Sequence, residues 1–360
     1  MQTVDKTTGY VSLIDIRSYA RYVSVTVVIG ATALLAWALA DVLLLAFAGI
    51  VFATVLRALA DPLHRRLHLS ERWSVILVVL VLTAIVAGAA WLFGNQIVQQ
   101  MGELARRLPE AAQQIMERIE RSPLAGTMND AIERAGESTS GTLKGLTRFA
   151  TVTLGAVANA LLIVFLALYL ALEPRRYLKG ALRLIPIAGR DNAERALLSA
   201  GRALRKWLLG QGIAMLGVGI ATGIGLAIAG VPLALALGIV AGLADFVPII
   251  GPIAAAIPGI LMGFTVGPDI ALYAAIVYLV VQQLEGNLIT PLAQRWAVAL
   301  PPAIALVSVV AFGVLFGILG VLFATPLAVV TMVLVRELYV EDVLESPEGR
   351  RAARRAQQAP

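Results

Sequence analysis

The sequence predicts an all-α, polytopic integral membrane protein of about eight transmembrane helices, with a broken or re-entrant Pro/Gly-rich segment near 245–260. Three observations predict it. Of 360 residues, 59% are apolar and 14% charged, and mean hydropathy is +0.83. Soluble domains run at about 45–50% apolar and about 25% charged, so lipid must solvate the excess. The charges cluster, leaving charge-free windows at 22–40, 42–56, 73–102, 149–172, 207–244, 246–268, 270–284 and 296–335. None of these windows alternates with period two, as β-barrel strands do.

The elements follow in chain order. Residues 1–21 are polar and of mixed charge, which argues against a signal peptide. Tyr22–Ala40 and Val42–Ala60 make the first two crossings, with Arg57 close enough to a helix end to snorkel. Trp73–Val98 makes the third and closes an N-terminal unit, 1–98. The segment 99–148 holds seven bases and seven acids. Leu104, Leu108, Ala112, Ile115 and Ile119 recur there at helical spacing, punctuated by Pro109, Pro123 and Gly126. That reads as an outward-facing amphipathic region, a helical hairpin on the membrane surface; a soluble ligand-binding domain of this size would have a marginal core.

Phe149–Leu172 is the fourth crossing. The stretch 173–206 carries nine Lys and Arg against three acids. Its Ala193, Ala196, Leu197, Ala200 and Leu204 share one face, which suits a helix lying on an anionic leaflet. The C-terminal unit, 207–336, holds the last four spans. Leu208–Gly230 is the fifth, Leu233–Phe264 a sixth broken by Pro248, Pro252 and Pro258, and Ile270–Thr290 the seventh. Pro301–Arg336 is too long for one straight crossing and is tilted, or broken near Gly313–Gly320. Residues 337–360 form a tail whose basic end, Arg350–Pro360, reads as disordered.

Lys and Arg set the orientation. With eight spans, the N-terminus, 61–72, 173–206 and the C-terminus fall on one side, and the positive-inside rule makes that side cytoplasmic. The net charge of +6 is therefore accounted for by the bilayer and needs no nucleic acid.

Catalytic and cofactor signatures are missing. There is no Cys, hence no disulfide and no thiolate metal site. No phosphate-cradling G-x-x-x-x-G-K-[ST], G-x-S-x-G or H-E-x-x-H occurs. His64 and His68 stand four apart after Asp61, but without a third strong ligand they read as interfacial residues at a helix end. The expectation is a protein that is not an enzyme and takes no cofactor or metal.

Two acids interrupt apolar segments. Asp245 lies in Gly242-Leu-Ala-Asp-Phe-Val-Pro-Ile-Ile-Gly-Pro252, about 12 residues into its span and so near mid-depth. Glu285 lies in Gln282-Gln-Leu-Glu-Gly-Asn-Leu-Ile-Thr-Pro291. An intramembrane acid costs roughly 2.5–3.5 kcal/mol to insert and is a functional candidate for that reason. Prolines free upstream carbonyls, and broken backbone beside an ionisable group is a recurrent transporter site. The bland alternatives are a helix-capping or ion-paired Asp245 and an interfacial Glu285. Gln282 shares the Glu285 face, while Gln283 and Asn287 form a second polar stripe. The candidate pathway residues are Asp245, Pro248, Gly251, Pro252, Gln282, Gln283, Glu285, Asn287 and Pro291. Gly219/Gly223, Gly238/Gly242, Gly259/Gly263 and Gly313/Gly317 repeat G-x-x-x-G, read as close packing within the bundle.

The two motifs above, followed by Leu300-Pro and Phe316-Gly-Ile-Leu-Gly-Val-Leu-Phe-Ala-Thr-Pro326-Leu, resemble the autoinducer-2 exporter (AI-2E) family, also called PerM-like permeases. The resemblance implies an inner-membrane protein of a bacterium, a homo-oligomer, exporting a small polar solute or signal. It also implies Gly317, Gly320 and Pro326 as motif positions. Sodium(lithium)/proton antiport is the second function found in such families, and a non-transporting scaffold is the reading from another class. The partners expected are the lipid bilayer, a small solute or a monovalent cation with protons, and further copies of the chain.

Overall fold

A computed structural model describes residues 38–120, 144–289 and 300–344, together with 27, 30, 34 and 35. Most of the first predicted crossing, 121–143 of the outer region, Pro291 and the Arg350–Pro360 tail lie outside the described residues. Among the described residues every regular element is helical and no strand occurs. A polytopic all-α membrane protein is the result, as the composition required.

The N-terminal helices are α1 (Ala40–Leu67), α2 (Glu71–Glu120) and α3 (Lys144–Leu172). A short α4 (Pro174–Arg183) follows, with Pro174 at its first turn, where a missing N–H costs nothing. The chain bends by 91° between Ala158–Leu172 and α4. Small residues on α1 and α3 meet β-branched residues of α2, in a cluster of Ala53, Ala60, Val75, Val78, Ala167 and Ala171.

The C-terminal unit begins with α5 (Arg190–Ile228), one helix of 39 residues. It ends in a Schellman turn: Gly230 takes φ 76, and Val231 N–H reaches Leu226 O at 2.9 Å. Then come α6 (Ala234–Ala244), α7 (Ile250–Phe264), α8 (Pro268–Leu284) and α9 (Pro302–Val335). π-helical turns, Glu285–Ile289 and Arg336–Leu344, extend α8 and α9. Among the described residues four helices are long and apolar enough to cross a bilayer by length and composition, five with the bent pair.

Two expectations change. The 191–206 stretch is no separate surface helix: it is the first half of α5. Its apolar face is the predicted one, but Ala203 and Leu204 bury it against Ala48 and Val51 of α1 and Phe323 and Val329 of α9. Likewise α2 does not stop at 98. It runs 50 residues, about 75 Å at 1.5 Å per residue, with Pro109 inside it. Leu104 packs among Leu226, Leu237 and Met262, and Gln100 Oε1 accepts the Ala236 N–H at 3.2 Å. Those contacts dock this stretch on the C-terminal helices rather than on the membrane surface.

The broken or re-entrant segment expected near 245–260 is a hairpin, and the last span, expected to be tilted or broken near Gly313–Gly320, is a second one. A straight helix holds residues six to eight apart about 9–12 Å apart. A Cβ on Gly251 would nevertheless stand 3.2 Å from Asp245 N, and one on Gly320 would stand 2.7 Å from the Phe312 carbonyl carbon. The chain folds back at 245–249 and again at Gly317, whose φ 63, ψ −145 is open to glycine. Each hairpin returns to the side it came from.

The hairpins enter from opposite ends. Ion pairs join Arg72 to Glu173, Arg205 to Asp61 and Arg195 to Asp342, so 61–72, 173–206 and 336–344 share one basic end. Leu300, Val330 and Val333 pack against the cluster that holds Leu204, Trp207, Leu208 and Phe323, so both ends of the α9 hairpin lie toward that end. The α6–α7 hairpin starts and ends at the opposite face, in the Gly230 and Gly267 turns. The outer surface stays apolar, with Ile228, Val314 and Ile318 each more than 80% exposed, as lipid solvation requires.

Candidate functional site

The site is built where α5, α6, α7 and α8 converge. Glycines let α6 lie directly on α5. A Cβ on Gly238 would stand 2.7 Å from Gly223 Cα, and one on Gly242 would stand 2.7 Å from Met215 O. Two of the four G-x-x-x-G pairs are thus facing halves of one contact. Gly313/Gly317 is different: Gly313 meets Val321, while Gly317 is the fold-back point.

That packing fixes the α6–α7 tip. Asp245 ends α6 and is 2% exposed. Gln211 of α5 donates its Nε2–H to Asp245 O at 2.7 Å, and the same nitrogen lies 3.4 Å from Oδ2. Phe246 stacks edge-on to Trp207, with ring centroids 5.9 Å apart. Pro248 and Ile249, at φ 72, complete the reversal, and Gly251 N–H closes it on Val247 O at 2.9 Å. Depth is the correction here. Gln211 stands five residues past Lys206, about 7 Å along α5, so Asp245 sits near the basic end rather than at mid-depth. Counting residues along one crossing placed it differently because the segment is a hairpin.

Glu285 opens the π turn after α8. Gln282 Nε2 donates to its carboxylate, so these two do share a face. Asn287 Nδ2 donates to Gln283 O at 2.9 Å, forming the second stripe. Gln283 and Asn287 are exposed and stand apart from the cavity described next. Gly320 and Pro326 are buried in the α9 hairpin.

A cavity of about 340 Å³ lies between the hairpin and α8, within the size range of ligand sites. Pro252, Gln282 and Glu285 line it, as do Thr222 of α5, Ala241 of α6 and Tyr278 of α8. Thr222 is fully buried, and neither its hydroxyl nor the buried Tyr278 hydroxyl has a hydrogen-bond partner among the described residues. Buried hydroxyls in apolar surroundings normally find one. The Tyr278 ring lies where a Cβ on Gly259 would intrude, 2.7 Å from Cζ; the glycine makes room for it. Sequence reasoning missed Thr222 and Tyr278. The available signal was polar side chains inside otherwise apolar runs, Thr222 beside Gly223 and Tyr278 seven residues before Glu285.

Broken helices inserted from opposite ends, around a cavity with polar groups on an apolar wall, are the architecture of a membrane transport protein. The chain belongs to the AI-2E family transporters: that family's model matches residues 25–339. It is 29% identical over 291 residues to a Bacillus subtilis (strain 168) protein named as transport protein YueF, covering 77% of each chain. It is 29% identical over 272 residues to an Escherichia coli (strain K12) protein named as permease PerM, covering 72% of this chain and 77% of that one. A second Bacillus subtilis protein, named as transport protein YrrI, is 25% identical over 195 residues, 54% of this chain and 55% of its own.

Proposed function

We propose that the protein is a secondary transporter that exports a small polar solute, of the autoinducer-2 kind, through the cavity between the α6–α7 hairpin and α8. The observation that carries this reading is the pair of hydroxyls, Thr222 and Tyr278, without a hydrogen-bond partner among the described residues, on the wall of a cavity that Gln282 and Glu285 also line. A solute with oxygen functions satisfies those hydroxyls and the Gln282–Glu285 pair together. An apolar body fits the Ala and Val walls. Access from alternate sides needs elements that open toward each face, and two oppositely inserted hairpins provide them. In this reading the protein sits in the bacterial inner membrane with its basic end cytoplasmic, as the positive-inside rule directs, and assembles as a homo-oligomer.

Flux of labelled solutes from proteoliposomes tests it. The wild type should accelerate efflux of a small hydroxylated solute, and Glu285→Gln and Tyr278→Phe should slow it. If neither variant changes flux of any solute in a broad panel, the cavity is not the pathway.

Sodium(lithium)/proton antiport is the second reading, favoured by carboxylates at Asp245 and Glu285 within apolar helices. In everted vesicles with a pH-sensitive dye, added sodium or lithium should then collapse the gradient. That response should vanish in Glu285→Gln. A silent dye response with intact solute efflux rejects this second reading.

A further inference from the structure

A second polar site stands at the basic end, away from the cavity. The loop joining α1 to α2 meets the loop joining α3 to α4 around an open cleft of about 400 Å³. Four arginines and two glutamates line it. Glu71 pairs with Arg57 at 3.0 Å and with Arg175 at 3.5 Å. Glu173 pairs with Arg72 at 2.8 Å and with Arg176 at 3.1 Å. Each carboxylate is therefore shared by two guanidinium groups, and the cleft keeps an excess of positive charge.

Arg57 does not snorkel as its sequence position suggested. It turns inward, donating Nε–H to Ala171 O at 2.7 Å, and its buried Nη2 has no hydrogen-bond partner among the described residues. A buried guanidinium nitrogen left unbonded is costly unless an acceptor reaches it. The other three arginines are outward: the side chains of Arg72, Arg175 and Arg176 are 68%, 83% and 81% exposed. Trp73 and Tyr177, both exposed, follow one residue after Arg72 and Arg176. Aromatic side chains of this kind mark the headgroup level of a bilayer.

We propose that this cleft binds the phosphate of an anionic phospholipid headgroup. The guanidinium fork matches phosphate geometry and charge. Basic pockets between helices at headgroup depth are where such lipids are held. The acyl chains extend along the exposed apolar faces of α2 and α3. The bound lipid ties the α1–α2 loop to the α3–α4 loop, reinforcing the ion pairs that already bridge them.

Native mass spectrometry of the full-length protein, purified from mixed micelles with equal mole fractions of phosphatidylglycerol and phosphatidylcholine, tests this. The wild type should retain phosphatidylglycerol by about tenfold over phosphatidylcholine. Combined Arg72→Gln, Arg175→Gln and Arg176→Gln, which leaves the inner Arg57–Glu71 pair intact, should bring the two lipids to near parity. Glu173→Gln releases Arg72 and Arg176 from their carboxylate and should raise phosphatidylglycerol retention. Equal retention of both lipids by the wild type would overturn the proposal. So would no change in either variant set, or displacement of the lipid by millimolar inorganic phosphate, which would make the site one for a free anion.

Discussion

The two hairpins of the C-terminal half fold back by different chemistry. The α6–α7 tip is built on Pro248 and Gly251, lies against Trp207, and is held by Gln211. The α9 tip is built on one glycine, and a Cβ at Gly317 would meet nothing within 4 Å among the described residues. One tip is anchored to a long helix and the other is open. Tight packing leaves a segment with one arrangement, whereas an element with few contacts opens at low cost. Under the proposed transport function the anchored hairpin serves as the wall of the pathway, and the open one as the part that moves.

The contrast can be broken at its strongest point first. Gly242→Leu places a branched side chain against Met215 O and Gly219 Cα, where backbone cannot yield. Overpacking of this kind costs typically 1–3 kcal/mol or more, and the variant should fail to accumulate as a folded protein by fluorescence size-exclusion chromatography. Gly317→Val forces a β-branched residue into positive φ, a strain of order 1–3 kcal/mol. It should fold, because the tip has room, yet lose most flux in proteoliposomes. Folding and flux both intact would remove the α9 tip from the mechanism.

Smaller changes sharpen the comparison. Gln211→Leu leaves the Asp245 carbonyl without its donor, a loss of about 1–3 kcal/mol, and should lower the thermal midpoint while Gly317→Ala lowers it less. The chain has no cysteine, so single introduced thiols report alone. Labelling of Ile318→Cys should change when solute is added, and labelling of Phe246→Cys should not. The smallest effect is expected from Thr222→Val. Removing an orphaned hydroxyl should leave stability unchanged or raise it slightly, while solute affinity falls several-fold. Unchanged affinity would show that the hydroxyl contacts no solute.

Much of the fold was legible from where the charges are not. The windows around 42–60, 73–98, 149–172, 208–230 and 270–284 all became helices, and the breaks fell at Pro248 and within the expected range Gly313–Gly320. The basic loops pointed to one end, and Arg72–Glu173 and Arg195–Asp342 join them there. The segment near 245–260 was legible as broken or re-entrant, but local sequence marks a break without deciding whether the chain continues or returns. That single ambiguity moved Asp245 from mid-depth to the basic end. The continuity of α5 through 190–206 was hidden for another reason. A face of alanines suits a leaflet and a neighbouring helix equally, and only the position of Phe323 decides between them. Thr222 and Tyr278 went unmarked because lone hydroxyls are common in apolar helices; their lack of partners is visible only in three dimensions.

The brevity of α6 and α7 has a consequence for biogenesis. With 11 and 15 residues, each is shorter than the roughly 20 residues that insert as an autonomous span. Neither can be threaded into lipid alone as it leaves the ribosome. The glycine face of α6 has a partner once α5 is in place, but the hairpin gains its other wall only when α8 has been synthesised. Membrane integration of this half is therefore ordered in time: the outer walls, α5 and α8, are laid first, and the element between them closes last.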